Sequence, residues 1–130
     1  MIVVDASALI EVLLGAPAAP AIERRLFEPG ETLHAPHLLD AEVAQVIRRY
    51  AASGAIDALR GSEALADLAD FPLRRYSHEF LLPRVWELRH NLTAYDAIYV
   101  ALAEALDAPL LTRDARMAEA VGHRATVQLA

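Results

Sequence analysis

Hydrophobic residues along this chain follow two alternating periods. Short, nearly continuous apolar runs occupy residues 2–5, 32–36, 72–76, 109–112 and 125–129, the length and density of strands covered on both faces. Between them, apolar side chains recur every three or four residues, which predicts helices over 6–14, 18–28, 37–52, 55–69, 78–90, 94–107 and 114–121. In 37–52, Leu39, Val43, Val46, Ile47 and Tyr50 share one face, whereas 94–107 is largely apolar all round. Strands that alternate with helices, rather than meeting through short hairpins, imply right-handed crossovers and a parallel sheet. The predicted fold is a single α/β domain over residues 1–130, a doubly wound parallel sheet of about five strands with helices on both faces. Gly15, Gly30, Gly54 and Gly122 fall near element ends, where a positive φ costs glycine little, and they lack the spacing of a phosphate loop.

Four acids stand where this pattern changes. Asp5 ends the run Ile2-Val3-Val4, Glu42 lies one turn into the helix after Ala35-Pro36, Asp96 opens a helix after Thr93, and Asp114 follows Leu110-Leu111-Thr112. In open α/β sheets the ligand crevice lies beyond the carboxyl ends of the strands, so these distant positions can converge there. Each has a competing structural explanation. Thr93-x-x-Asp96 has the spacing of a capping box, Asp114 is placed as an N-cap, Ser7 could cap the first helix, and Thr112 could be an ordinary strand-end residue. Asp5 resists such an explanation, because an acid at the end of a central apolar strand loses hydration without a compensating partner. Glu42 lies between Leu38 and Val46 at the edge of its helix's apolar stripe, and Asp40 projects about 160° away on the wheel.

Composition narrows the chemistry. The chain has 130 residues, 55% of them hydrophobic, which excludes a largely disordered polymer, and its uncharged apolar stretches are too short for a transmembrane helix. A soluble, cytoplasmic protein without a membrane partner is expected. There is no cysteine, so thiolate sites and cysteine nucleophiles are out, and any metal must be held by oxygen or imidazole. The five histidines lack ligand spacing, which argues against zinc. Net charge is −6, so a broad basic face for nucleic acid is excluded; a local site bridged by divalent cations is not. Arg113 and Arg116 flank Asp114 and can grip phosphate, or can simply be a solvated helix face. Trp86, Tyr95 and Tyr99 are too scattered for a base-stacking platform and read as core or partner packing.

The opening Ile-Val-Val-Asp-Ala-Ser-Ala-Leu, the segment Pro36-His37-Leu38-Leu39-Asp40-Ala41-Glu42-Val43, the helix start Leu92-Thr93-Ala94-Tyr95-Asp96-Ala97 and the segment Leu110-Leu111-Thr112-Arg113-Asp114 resemble PIN-domain ribonucleases. More narrowly they resemble VapC-type toxins of bacterial toxin-antitoxin pairs. The likeness runs from residue 1 to about 121 and is loosest over 55–90. It implies a divalent-metal site of Asp5, Glu42, Asp96 and Asp114, with Ser7 and Thr112 supporting it. It also implies an RNA substrate, a cognate antitoxin and a homodimer.

Four close carboxylates repel one another, and oxygen donors favour hard ions, so Mg²⁺ or Mn²⁺ is expected. Water attack on a phosphodiester would leave a 5′-phosphate and a 3′-hydroxyl. Competing classes fit less well. A haloacid-dehalogenase-type phosphatase needs an aspartate where Ser7 stands, and a receiver domain needs a lysine, of which there is none. A non-catalytic interaction protein that keeps the fold, or a metal-dependent phosphatase or DNA nuclease, remains the alternative reading.

Overall fold

A computed structural model describes all 130 residues. The chain runs β1 (Ile2–Val4), α1 (Ala6–Leu14), α2 (Ala19–Leu26), β2 (Leu33–Pro36), α3 (Leu38–Ser53), α4 (Ala58–Asp70), β3 (Leu73–Tyr76), α5 (Leu82–Glu87), α6 (Ala94–Leu106), β4 (Leu110–Thr112), α7 (Ala115–Glu119) and β5 (Val127–Leu129). All strand pairs are parallel, as the alternation of periods predicts, and the order is β3-β2-β1-β4-β5. Strand β1 is central and its three residues are fully buried, each contributing on the order of 1.5–3 kcal/mol through removal of apolar surface from water. The outer strand β3 carries the polar pair Arg74-Arg75 and is only partly covered.

Helix α6 packs on β1, β2 and β4, together with α5; α1 gathers α2, α3 and α4 into the other helical layer. Residues Ala97 to Ala103 of α6 are all buried, and alanines at 97, 101 and 103 let the helix settle closely against the sheet. This explains its apolar circumference. Helix α3 ends on Gly54 at φ 80°, which returns two amides to the last turn, as its glycine suggests. Helix α6 achieves the same reversal with Asp107 at φ 51°, a non-glycine cap that the pattern does not announce.

Two sequence expectations need correction. The helix predicted over 78–90 is a 3₁₀ turn at Glu79–Leu81 followed by the six residues of α5, because Pro83 supports a first helical turn and cannot extend one behind it. The helix predicted over 114–121 is only Ala115–Glu119. No single helix is long and apolar enough to cross a membrane.

The topology locates the crevice. Successive strands step outward from β1 through β2 to β3, then the chain returns to the opposite side of β1 for β4. The switch between β1 and β4 leaves a gap at their carboxyl ends where no crossover helix starts from both strands on the same side. Val4 is in register with Leu111, which sets Asp5 beside Thr112 at that gap.

Candidate active site

Asp5 occupies the N-cap position of α1 with extended backbone, yet its side chain makes no capping bond. It turns into the gap instead, only 6% exposed, and its Oδ2 accepts two hydroxyls, Ser7 Oγ at 2.5 Å and Thr112 Oγ1 at 2.8 Å. Each hydroxyl spends its single proton on Asp5 and accepts a backbone amide from the turn after β4. Arg113 N donates to Ser7 Oγ at 2.9 Å and Asp114 N to Thr112 Oγ1 at 3.0 Å. The end of β1 is thus clamped to the β4–α7 turn through one carboxylate oxygen, and Oδ1 receives no protein donor. Ser7 is therefore no helix cap, and Thr112, fully buried, is no idle strand end.

Asp96 and Asp114 meet their structural alternatives in part. Thr93 caps α6 by accepting Asp96 N at 3.2 Å, and Asp114 Oδ1 caps α7 by accepting Arg116 N at 2.9 Å. Capping does not account for their electrostatic setting. Burial, followed by the charges of Asp5 and Asp114, raises the Asp96 carboxyl above its ordinary value, while Thr93 and Arg116 oppose the shift. Burial likewise raises Glu42, against a hydrogen bond from Tyr99 and with help from the charges of Asp5 and Asp96. Asp5 and Asp96 thus act on Glu42, and Asp5 and Asp114 on Asp96. No three of them stand close enough to grip an ion together in the present side-chain arrangement.

Cations stay at the rim. Asp5, Glu42 and Asp96 form no ion pair; Arg116 lies 3.7 Å from Asp114 and is 93% exposed, and Arg113 leans 3.5 Å from Glu11. Asp40, excluded from the site by the wheel argument, is engaged elsewhere, accepting from Arg75 Nε at 2.8 Å. A groove of 390 Å³ along Glu42 is lined by Leu38, Ala41, Gln45, Val46, Arg49 and Tyr95. The larger cavity of 710 Å³ lies at the opposite strand ends, around Leu33, His34 and Pro72, and has no part in the acidic centre. His34 there is buried and satisfied by Thr32 Oγ1 at 2.8 Å and Tyr76 Oη at 2.7 Å, with burial depressing its basicity, in keeping with a neutral structural role.

The PIN domain family matches residues 2–122, a span that contains every one of these acids. The chain belongs to the PIN-domain family. Its relatives include Ribonuclease VapC1 of Mycobacterium tuberculosis, 44% identical over 128 residues, which cover 98% of this chain and 96% of that protein. Among solved structures, VapBC2 from Rickettsia felis bound to a DNA fragment of its promoter superposes with a TM-score of 0.72 at 13% identity, covering 99% of this chain and 98% of that one. A toxin-antitoxin complex from Klebsiella pneumoniae gives 0.69 at 19%, covering 92% and 91%. The acids of this PIN domain lie at the sheet edge its strand order designates for ligands.

Sequence reasoning missed one participant. Tyr99, read as packing, is fully buried on α6 and donates its hydroxyl to Glu42 Oε1 at 2.6 Å. Its signal was available: the tyrosine inside the apolar run Ala97 to Ala103 needs a partner for its polar tip, and it lies one turn from Asp96.

Proposed function

We propose that this PIN domain is the toxin of a bacterial toxin-antitoxin pair, a divalent-metal-dependent endoribonuclease that hydrolyses RNA phosphodiester bonds. The observation that carries the reading is a set of half-buried or buried acids held by neutral donors, with no buried cation to cancel their charge. The kinship with Ribonuclease VapC1 supports the substrate.

The donor set fits Mg²⁺ or Mn²⁺. Both are hard ions that take carboxylate oxygen, and Mg²⁺ keeps several waters and binds through one or two carboxylates, which suits acids not gathered for direct contact by three. Asp5 and Glu42 would hold the ion through the oxygens their hydrogen bonds leave free, with Asp96 and Asp114 completing the acidic field. When bound, the ion supplies charge neutralisation at the scissile phosphate and a more acidic water. The chain's own contribution is placement. The Ser7–Thr112 clamp keeps Asp5 from swinging to a capping position, and Arg116, 93% exposed beside Asp114, can reach a phosphate oxygen. Water oxygen bonds to phosphorus, the bond to the ribose 3′-oxygen breaks, and the products are a 5′-phosphate and a 3′-hydroxyl.

The same reading assigns a cognate antitoxin, a homodimer and a cytoplasmic location. The Klebsiella pneumoniae neighbour, solved as a toxin-antitoxin complex, supports the antitoxin. The test incubates an RNA pool with wild type and Asp5→Asn, in chelator and after Mn²⁺ is restored, and sequences the cut ends. Cleavage by wild type in Mn²⁺ alone, leaving 5′-phosphates, is the expected result. Cyclic-phosphate ends, or activity that survives both substitution and chelation, would overturn it.

A further inference from the structure

Tyr99 is the buried titratable group for which the proposed chemistry has found no use. Its ring is fully buried, and phenylalanine would fill the same space. The extra hydroxyl carries a desolvation penalty unless it is paired, and its partner is a carboxylate on another helix, 57 residues away. Glu42 takes no other hydrogen bond and forms no ion pair, so this 2.6 Å contact is what orients its flexible side chain.

We propose that Tyr99 is a positioning residue for cation binding: by holding Glu42 Oε1 it presents Oε2 to the acidic cleft shared with Asp5 and Asp96. The proposal rests on the reading of these acids as a cation site. Groups hydrogen-bonded to metal ligands tune ion affinity by roughly 10–100-fold, because they remove the torsional freedom the ligand would otherwise lose on binding. A tyrosine does this without adding a positive charge that would compete with the ion.

The experiment measures Mn²⁺ affinity by electron paramagnetic resonance of the free ion for wild type, Tyr99→Phe, Glu42→Gln and the double variant. Tyr99→Phe is expected to weaken Mn²⁺ binding roughly tenfold or more and to shift the Mn²⁺ requirement for RNA cleavage upward while KM for RNA stays unchanged. In the Glu42→Gln background the same change is expected to have no further effect, since Tyr99 acts only through Glu42. A Tyr99→Phe affinity within twofold of wild type, with Glu42→Gln impaired, overturns the role of Tyr99 alone. Equal losses in both backgrounds make the residue a packing element and also overturn it. Absence of Mn²⁺ binding in wild type brings down the cation-site reading and this inference with it. Fluorine resonances of the 3-fluorotyrosine-labelled chain give a readout that keeps the Tyr99 hydroxyl in place. The Tyr99 signal is expected to move on addition of Mg²⁺ in wild type and to stay still in Glu42→Gln; a Tyr99 signal indifferent to bound Mg²⁺ overturns the proposal.

Discussion

Thr112→Val isolates the hydroxyl clamp. The two side chains have nearly the same shape, so the fully buried site loses an oxygen without gaining a cavity. Two contacts go: the 2.8 Å donation to Asp5 Oδ2 and the 3.0 Å acceptance from Asp114 N. A hydrogen bond to a charged acceptor contributes about 1.5–3 kcal/mol net, and an amide left without its partner in a partly buried turn adds a further penalty of about 1 kcal/mol. Burial of the extra methyl group returns something under 1 kcal/mol. The expected destabilisation of the metal-free protein is therefore about 2–3 kcal/mol, and for a domain of this size roughly 3–5 °C of midpoint per kcal/mol follows.

Urea unfolding in chelator, followed by circular dichroism, gives the number directly. Ser7→Ala removes the other donor to the same oxygen at 2.5 Å. Because both hydroxyls serve one atom, the double variant must depart from additivity by at least about 0.5 kcal/mol. A Thr112→Val penalty below about 0.5 kcal/mol, or strict additivity with Ser7→Ala, refutes the claim that these hydroxyls jointly stabilise the Asp5 carboxylate.

Glu42 and Asp96 have proton affinities raised above the ordinary 4.5 and 3.8, so the folded state binds their protons more tightly than the unfolded chain. Their contribution to metal-free stability is fully present below those ordinary values and lost as pH rises through the raised ones. Unfolding midpoints measured upward from pH 4 are expected to fall less steeply in Glu42→Gln than in wild type; parallel curves contradict this. Arg84 grips Glu104 through 2.8 and 3.0 Å bonds, and Glu104 is only 3% exposed. Arg84→Met is expected to cost about 3 kcal/mol in urea unfolding while Mn²⁺ affinity holds. Arg116→Ala, at a 93% exposed position, is expected to change stability by less than about 0.5 kcal/mol and to raise KM for RNA, as steady-state cleavage at fixed Mn²⁺ will report.

The parallel sheet and the alternation of strands with helices were legible because β1 and the start of β4, buried on both faces, carry no polar residue, whereas the strand order was not. Ile2-Val3-Val4 and Leu110-Leu111 can only be interior, and the acids that end or follow such runs are conspicuous. The short elements were less legible. Leu82 and Trp86 lie at helical spacing, but α5 leaves both more than half exposed, so the apolar period there does not report a buried stripe. The clamp was half legible. Ser7 and Thr112 carry equally good local explanations as cap and strand end, and only the Val4–Leu111 register, a tertiary fact, sets them on one carboxylate oxygen. Tyr99 was hidden for a similar reason, since a phenol in an apolar helix looks like volume until the residue facing it across 57 positions is known.

The choice of neutral donors is itself a physical argument about the site. This chain carries twelve arginines, and where it needs to stabilise an acid for structural reasons it uses them, pairing Arg75 with Asp40, Arg84 with Glu104 and Arg25 with Glu31. At Asp5 and Glu42 it uses hydroxyls and a phenol instead. An arginine would lower the cost of each isolated carboxylate but would also cancel the field that draws a divalent ion. Hydroxyl donors orient the oxygens and leave the negative charge in place, at the price of a metal-free fold that carries uncompensated repulsion. A guanidinium introduced into the fully buried α6 face, as in Val100→Arg, would bury an unpaired charge and disrupt that face. On the proposed reading, a divalent ion that binds only the folded state would offset that repulsion by mass action, by about 2.7 kcal/mol at a hundredfold excess over Kd.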